Sequence, residues 1–264
     1  MNKAWIAAAI GIAALTPLAV YAQAKPEPEF TFSGNAGLFS DYRFRGFTQT
    51  DYKPAFQGGF DFAHKSGFYL GNWNSNVEQS LFNGASLEMD FYGGYKTTFG
   101  DFGIDIGVIY YYYPGTGKVS PGVDADNFEA YIGGSYGPAS LKYFYSFTDF
   151  FGLNSSAFPV GAVPPGIDTK GSQYIDLTIN WPLDGGWSIV AHGGWQKIEN
   201  LKQLGASEDS YYDWKLGVTY DIAGSGWIAG AAVVGTSEKN LFTVGDLSEG
   251  GGKTRAVVSL SKTF

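Results

Sequence analysis

From Phe30 onward, apolar and polar residues take turns along the chain. Phe30, Phe32, Ala36, Leu38, Tyr42 and Phe44 hold even positions, while Thr31, Ser33, Asn35, Asp41, Arg43 and Arg45 hold odd ones. A period of two sends successive side chains to opposite faces of a strand, whereas a helix repeats about every 3.6 residues. The alternation recurs: Leu87, Met89, Phe91 and Tyr95 oppose Glu88, Asp90 and Lys96, and Trp214, Leu216, Val218 and Tyr220 oppose Asp213, Lys215, Thr219 and Asp221. Tyr69, Trp73 and Val77 are predicted on the greasy face of their strand, with Asn72, Asn74 and Asn76 opposite. The run from Trp227 to Val234 is apolar on both faces and leaves its register open. Twelve strands of about ten residues are predicted, the length a tilted strand needs to cross a bilayer core.

The connections between these strands sort by parity. Tight turns are predicted around Lys65-Ser66-Gly67, Phe99-Gly100-Asp101, Gly137-Pro138, Asp184-Gly185-Gly186 and Gly224-Ser225-Gly226. Longer ones follow Gly46 and Val77 and cover 114–126, 152–171, 197–210 and 236–253. Short and long alternate strictly, the arrangement of an outer-membrane barrel with short periplasmic turns and long external loops. The fold expected is therefore all-β: a closed antiparallel transmembrane β-barrel, with both chain ends on the short-turn side.

The first residues fit this destination. Lys3, the apolar run Ala4–Val20 and Ala22-Gln23-Ala24 read as a secretory signal peptide, residues 1–24, cut after Ala24. Residues 25–264 are then the barrel domain. Without Lys3 the chain carries 16 Lys and Arg against 25 Asp and Glu, a net charge of −9, which excludes nucleic acid as a natural partner. There is no cysteine, so neither disulfide nor thiolate chemistry is available. Past residue 24 no long apolar stretch exists, which excludes a helical membrane protein.

In a membrane barrel the greasy face meets lipid, where an unpaired charge costs a few kcal/mol. Asp41, Arg43 and Arg45 are therefore expected inside. Trp73, Trp181, Trp187, Trp195, Trp214 and Trp227 are expected in interfacial aromatic belts. A soluble lipocalin-like barrel would alternate too, but with its apolar face inward, leaving Glu88, Asp90 and Lys96 to face water. Phe264, sharing a face with Ala256, Val258 and Leu260, has the form of a C-terminal signal for the outer-membrane assembly machinery.

Several stretches have a familiar form: "GNAGLFSDYRFRG" from Gly34, "PAFQGGFDF" from Pro54, "SGFYLGNWNSNV" from Ser66, "LEMDFYGGYK" from Leu87 and the terminal "SLSKTF". They resemble the TorF family of proteobacterial outer-membrane porins, also labelled Gcw_chp. The resemblance runs over the whole mature chain and implies an outer-membrane barrel with a pore. It carries no substrate and no catalytic residue to transfer.

Candidate pore-lining residues follow from parity and height. Arg43, Arg45 and Arg255 are expected on one wall, with Asp41 beside them, and Glu88, Asp90 and Glu129 on a facing acidic wall. Such rows would orient small hydrophilic solutes and set ion selectivity. The alternative is that these charges pair and plug a narrow lumen. Tyr111, Tyr113 and Tyr131 are expected to line the interior, filling space and hydrogen-bonding to charges, as are Phe144 and Tyr174. His64 and His192 are the histidines present, and neither shows a nucleophile and orienting acid at readable spacing, so no enzyme is expected. No metal or cofactor is expected either. Asp124 and Asp126 share a loop that could hold Ca²⁺, but two acids in a loop are commonly just solvated.

Overall fold

The computed structural model describes residues 28–118, 123–242 and 250–264. The expected signal peptide lies outside these residues. The chain runs β1 (Phe30–Phe39), two short strands β2 (Arg43–Phe44) and β3 (Phe47–Thr48), then β4 (Ala55–His64), β5 (Phe68–Asn76), β6 (Leu87–Phe99), β7 (Phe102–Tyr112) and β8 (Asn127–Tyr136). It continues through β9 (Ala139–Ser146), β10 (Gln173–Pro182), β11 (Trp187–Lys197), β12 (Ser210–Asp221), β13 (Trp227–Thr236) and β14 (Arg255–Thr263). All but β2 and β3 close into one barrel of twelve strands, each antiparallel to its neighbours, and β1 seals against β14. Closure leaves no edge with unpaired backbone groups. The seam ends on Phe264, whose N–H donates to Gly34 O (2.9 Å) and whose carbonyl accepts from Gly34 N–H (2.8 Å). The connections fall as predicted, with short turns at one end and long loops at the other.

The outer face is greasy. Phe32 is 71% exposed, and Phe60, Ile106, Ile132, Leu177, Leu216 and Val258 also stand outward. Aromatic side chains ring both ends of this face. Phe30, Phe99, Phe102, Tyr136, Trp181, Trp187 and Trp227 mark the short-turn end, and Tyr110, Tyr112, Tyr145, Phe147 and Tyr212 mark the other. Some stack across strands, as Phe30 on Phe62 (centroids 5.3 Å) and Phe32 on Phe60 (5.6 Å). A water-soluble barrel would bury these rings; a lipid-facing one displays them.

In one strand the predicted faces are exchanged. Phe68 and Leu70 of β5 point outward with Asn72, Asn74 and Asn76, while Tyr69, Trp73 and Val77 are buried inside. Trp73 thus belongs to the interior and not to an aromatic belt. The outward asparagines spend their amides on their own sheet. Asn72 Nδ2 donates to Asp90 O (3.0 Å), Asn74 Nδ2 to Asn72 Oδ1 (2.6 Å), and Asn76 Oδ1 accepts from Phe56 N–H (2.7 Å). A self-satisfied amide is tolerated where an unpaired one would cost about 1–3 kcal/mol. In β13 the open register is settled: Trp227, Ala231 and Val233 face out, and Ile228, Gly230, Ala232 and Val234 face in.

Candidate functional site

The element SDYRFRG does not extend the first strand. β1 stops at Phe39, the chain bends at Ser40 and Asp41, and residues 43–48 form a hairpin that folds into the barrel from the long-loop end. Arg45 (φ 44°) and Gly46 (φ 86°) both take the left-handed conformation, as the two central residues of a tight hairpin turn require. A Cβ at Gly46 would lie 2.7 Å from Asp213 Cβ and 3.2 Å from Gly235 O, so the tip packs directly on β12 and β13. The alternation that suggested one long strand is real, but a hairpin strand has the same period of two.

Asp41 anchors the base of this hairpin. Its Oδ1 accepts from Thr48 Oγ1 (2.6 Å) and Thr50 Oγ1 (3.3 Å), and its other oxygen pairs with Arg43 Nε. Arg43 also donates to Gly46 O (2.9 Å) and Lys253 O (3.0 Å). Tyr52 sits between two arginines, 4.9 Å from Arg43 Cζ and 4.1 Å from Arg255 Cζ. Arg43 is thus committed to holding the loop in shape.

Arg45 projects from the tip to the far wall. Its Nη2 donates to Glu129 Oε2 (2.6 Å), and its Nη1 to Glu129 Oε1 (3.1 Å) and Gln196 Oε1 (2.8 Å). The guanidinium also lies 4.3 Å from the ring of Tyr174. Arg45 is 8% exposed and Glu129 1%. Burial works against the charge on Arg45, and the paired Glu129 carboxylate answers it. Arg45 and Glu129, expected on separate walls, are therefore in contact. Phe44 and Phe47 flank the tip and pack edge-on against Tyr111 (5.6 Å) and Tyr211 (5.1 Å).

The remaining predicted residues sit around this hairpin. Glu88 and Asp90 are buried on β6, with Tyr42 Oη donating to Glu88 Oε1 (2.9 Å). Tyr111 Oη reaches Glu129 Oε2 (3.4 Å), and Tyr113 stacks on Phe82 (4.5 Å). Tyr131 shares a short hydrogen bond with Tyr69 Oη (2.5 Å), which in turn donates to Asp105 Oδ1 (2.6 Å). Lys142 Nζ closes that network on Asp105 Oδ2 (2.7 Å). Together with Trp73 and Ile109 these rings fill the β4–β8 side of the interior.

The opposite side is built differently. Gly217, Thr219, Gly230, Ala232, Ser259 and Ser261 point inward from β12–β14 and are only half-buried. Bulk is gathered on the β4–β8 wall and small residues on the β12–β14 wall. A concavity of about 430 Å³ lined by Ile189, Leu216, Val218, Val233 and Val258 lies on the outer face.

One cluster escaped the sequence reading. His192 lies between two carboxylates, Nε2 at 2.8 Å from Asp213 Oδ1 and Nδ1 at 3.3 Å from Asp176 Oδ2. Tyr174 Oη donates to Asp213 Oδ2 (3.0 Å), and the Thr178 hydroxyl near His192 is committed to Asp176 Oδ1 (2.8 Å). The acids come from the two flanking strands, β10 and β12, so no local spacing announces them; matching inward parity on three adjacent strands would have. Asp126 is a loop brace, accepting from Tyr113 N–H (2.8 Å) and Tyr110 Oη (2.5 Å). Among the described residues no group of three or more His, Cys, Asp or Glu is placed to hold a metal ion.

A family described as "Bacterial protein of unknown function (Gcw_chp)" matches residues 23–264. Among curated proteins none matches. Among solved structures, the KdgM porin superposes with a TM-score of 0.52 at 12% identity, over 88% of this chain and 99% of that one. The NanC porin reaches 0.55 at 7% identity, over 89% and 99%. A KdgM porin in complex with disordered oligogalacturonate gives 0.51 at 10% identity, over 88% and 98%. At these identities the likeness is one of fold.

Proposed function

We propose that this chain, which belongs to the Gcw_chp family, is an outer-membrane porin-like channel for passive diffusion of small hydrophilic solutes. The observation that carries the reading is the closed twelve-strand barrel with an apolar, aromatic-girdled exterior and an ionic interior. Only lipid outside and polar matter inside suit both faces at once. Residues 1–24 serve as the leader, outer-membrane lipids surround the barrel, and Phe264 addresses it to the assembly machinery. The porin label TorF suggested by its motifs belongs to the same proposal.

The hairpin of residues 43–48 folds into the barrel, and the small inward side chains of β12–β14 support a solute path along that wall. Eight carboxylates on the barrel strands face inward (Asp61, Glu88, Asp90, Asp105, Glu129, Asp176, Asp213 and Asp221) against Lys96, Lys142, Lys215 and Arg255, with His192 set between two of these acids and Arg45 of the inserted hairpin paired to a third. A polyanion such as the oligogalacturonate of the KdgM complex suits that balance poorly; neutral or cationic solutes suit it better.

The buried Arg45–Glu129 pair favours one other reading, a barrel plugged for good that serves a structural or adhesive role. Single-channel recording in planar bilayers separates the two. A porin gives discrete, cation-preferring current steps that grow when the hairpin of residues 43–48 is shortened to a two-glycine link. Silence from both the native and the shortened, folded barrel would leave the plug.

A further inference from the structure

Lys215 points inward from β12 and is half-buried. Among the described residues it makes no hydrogen bond and no ion pair. Lys142 and Lys96, on the filled side, both answer Asp105 Oδ2, at 2.7 and 4.0 Å. The acids next to Lys215 in the sheet are engaged elsewhere. Asp213, two residues before it, faces His192 Nε2 at 2.8 Å and accepts from Tyr174 Oη at 3.0 Å. Asp176 accepts from the Thr178 hydroxyl at 2.8 Å and faces His192 Nδ1 at 3.3 Å. Directly across from Lys215 stand His192 on β11, whose two ring nitrogens are turned to carboxylates, and Val234 on β13. Neither offers its ammonium an acceptor.

The place of this charge matters as much as its solitude. The next inward residue of β12 is Gly217, and its cross-strand partner on β13 is Ala232, so side chains leave room beside the lysine. The hairpin tip touches β12 just above: a Cβ on Gly46 would lie 2.7 Å from Asp213 Cβ. Lys215 is two residues further along the strand, about 7 Å toward the short-turn end. A solute following the small-residue wall therefore meets it immediately beyond the hairpin. A partnerless ammonium attracts an anion, yet the excess of inward carboxylates repels solutes that carry negative charge alone. A solute with both signs suits both. Its carboxylate meets Lys215, and its ammonium is drawn toward Asp176, whose side chain is 28% exposed against 3% for Asp213.

Resting on the channel reading above, we infer that Lys215 is the specificity-determining contact for small zwitterions, the class of amino acids and short peptides, whose carboxylate it receives on the way through the barrel. A half-exposed ion pair is weak, so the contact guides such a solute and lets it go, as conduction requires.

The test uses the full mature barrel in proteoliposomes, with swelling rates measured in threonine and in erythritol, an uncharged polyol of similar size. The native barrel should admit threonine severalfold faster than erythritol. Lys215→Gln should bring the two rates together by slowing threonine alone, and Lys215→Arg should keep the native ratio. Lys215 makes no bond whose loss would unfold the barrel, and heat-modifiable migration checks that each variant is folded; Lys215→Met replaces the Gln variant if that one is not. A native barrel that admits erythritol but threonine no faster leaves the channel standing and overturns the inference. So does a native ratio that survives in Lys215→Gln, or a variant in which both rates fall together, since the lysine would then only shape the wall. A native barrel that admits neither solute removes the channel reading, and the inference with it.

Discussion

Arg45 and Glu129 meet across the barrel: the guanidinium that leaves the wall after β1 lies 2.6 Å from a carboxylate on β8, nearly opposite in the ring. Both side chains are almost fully buried, so neither can lose its partner and turn to water.

Removing one member of such a pair strands the other, at roughly 3–5 kcal/mol. Arg45→Gln and Glu129→Gln should each lower the denaturant midpoint by an amount in that range. The double change should cost clearly less than the two single costs together. A double-mutant cycle measures the coupling, and additive effects would dissolve the pair.

Gly46 reports whether the hairpin is seated. Its φ of 86° and the close approach of Asp213 and Gly235 leave no room for a side chain. Gly46→Val should strain the tip by about 1–3 kcal/mol while leaving the barrel strands paired. Trypsin should then cut after Arg43 and Arg45, which the native fold shields. Equal protease resistance in both proteins would place the hairpin elsewhere.

These two residues also mark where the sequence stopped being readable. Strand number, loop parity and the lipid-facing side of most strands follow from alternation alone, because a closed sheet has one inside and one outside. The hairpin does not, since Asp41, Arg43 and Arg45 keep the period of two whether they prolong β1 or turn back from it. The reversal of β5 has another cause. Phe68 and Leu70 compete with Tyr69 and Trp73 for the outer face, and a one-residue shift exchanges every side chain. The exchange is decided by where Asn72, Asn74 and Asn76 find their hydrogen bonds, which is a property of neighbouring backbones. The flanking of His192 by Asp176 and Asp213 was hidden for a similar reason: the contacts run across strands.

A solute path along the β12–β14 wall makes its own prediction. Ala232→Phe puts a ring into the small-residue wall and should reduce single-channel conductance severalfold. Tyr69→Phe, on the filled wall, should leave conductance nearly unchanged and cost about 1–3 kcal/mol by leaving Asp105 and Tyr131 short of a partner. Equal currents in Ala232→Phe and the native barrel would move the path elsewhere.

Topology can be read with an impermeant maleimide on intact cells. Ser156 lies in the long loop after β9 and Ser225 in the short turn before β13, both exposed. Ser156→Cys should label and Ser225→Cys should not; the opposite pattern inverts the barrel.

Phe264 joins the last strand to the first through two backbone hydrogen bonds with Gly34, and its ring lies where a Gly34 side chain would go. Deleting it removes about 1 kcal/mol per bond from the seam. The heat-modifiable folded fraction in outer membranes should fall, while export through the inner membrane stays normal. Undiminished folded protein would show that the terminal residue is dispensable.

The inserted hairpin also behaves as a ligand that the chain carries for itself. Tethered by residues 40–42 and 49–54, it competes with any solute for the same space at an effective concentration that dilution cannot lower. A solute's apparent affinity is then scaled by the fraction of barrels in which the tip has withdrawn. If seating is favoured by about 2.7 kcal/mol, the full width of the lumen is free in about one barrel in a hundred. Passage of solutes too wide for the β12–β14 wall path would then be regulated by occupancy, and a change that touches only Arg45 could alter their uptake a hundredfold without moving a single barrel strand.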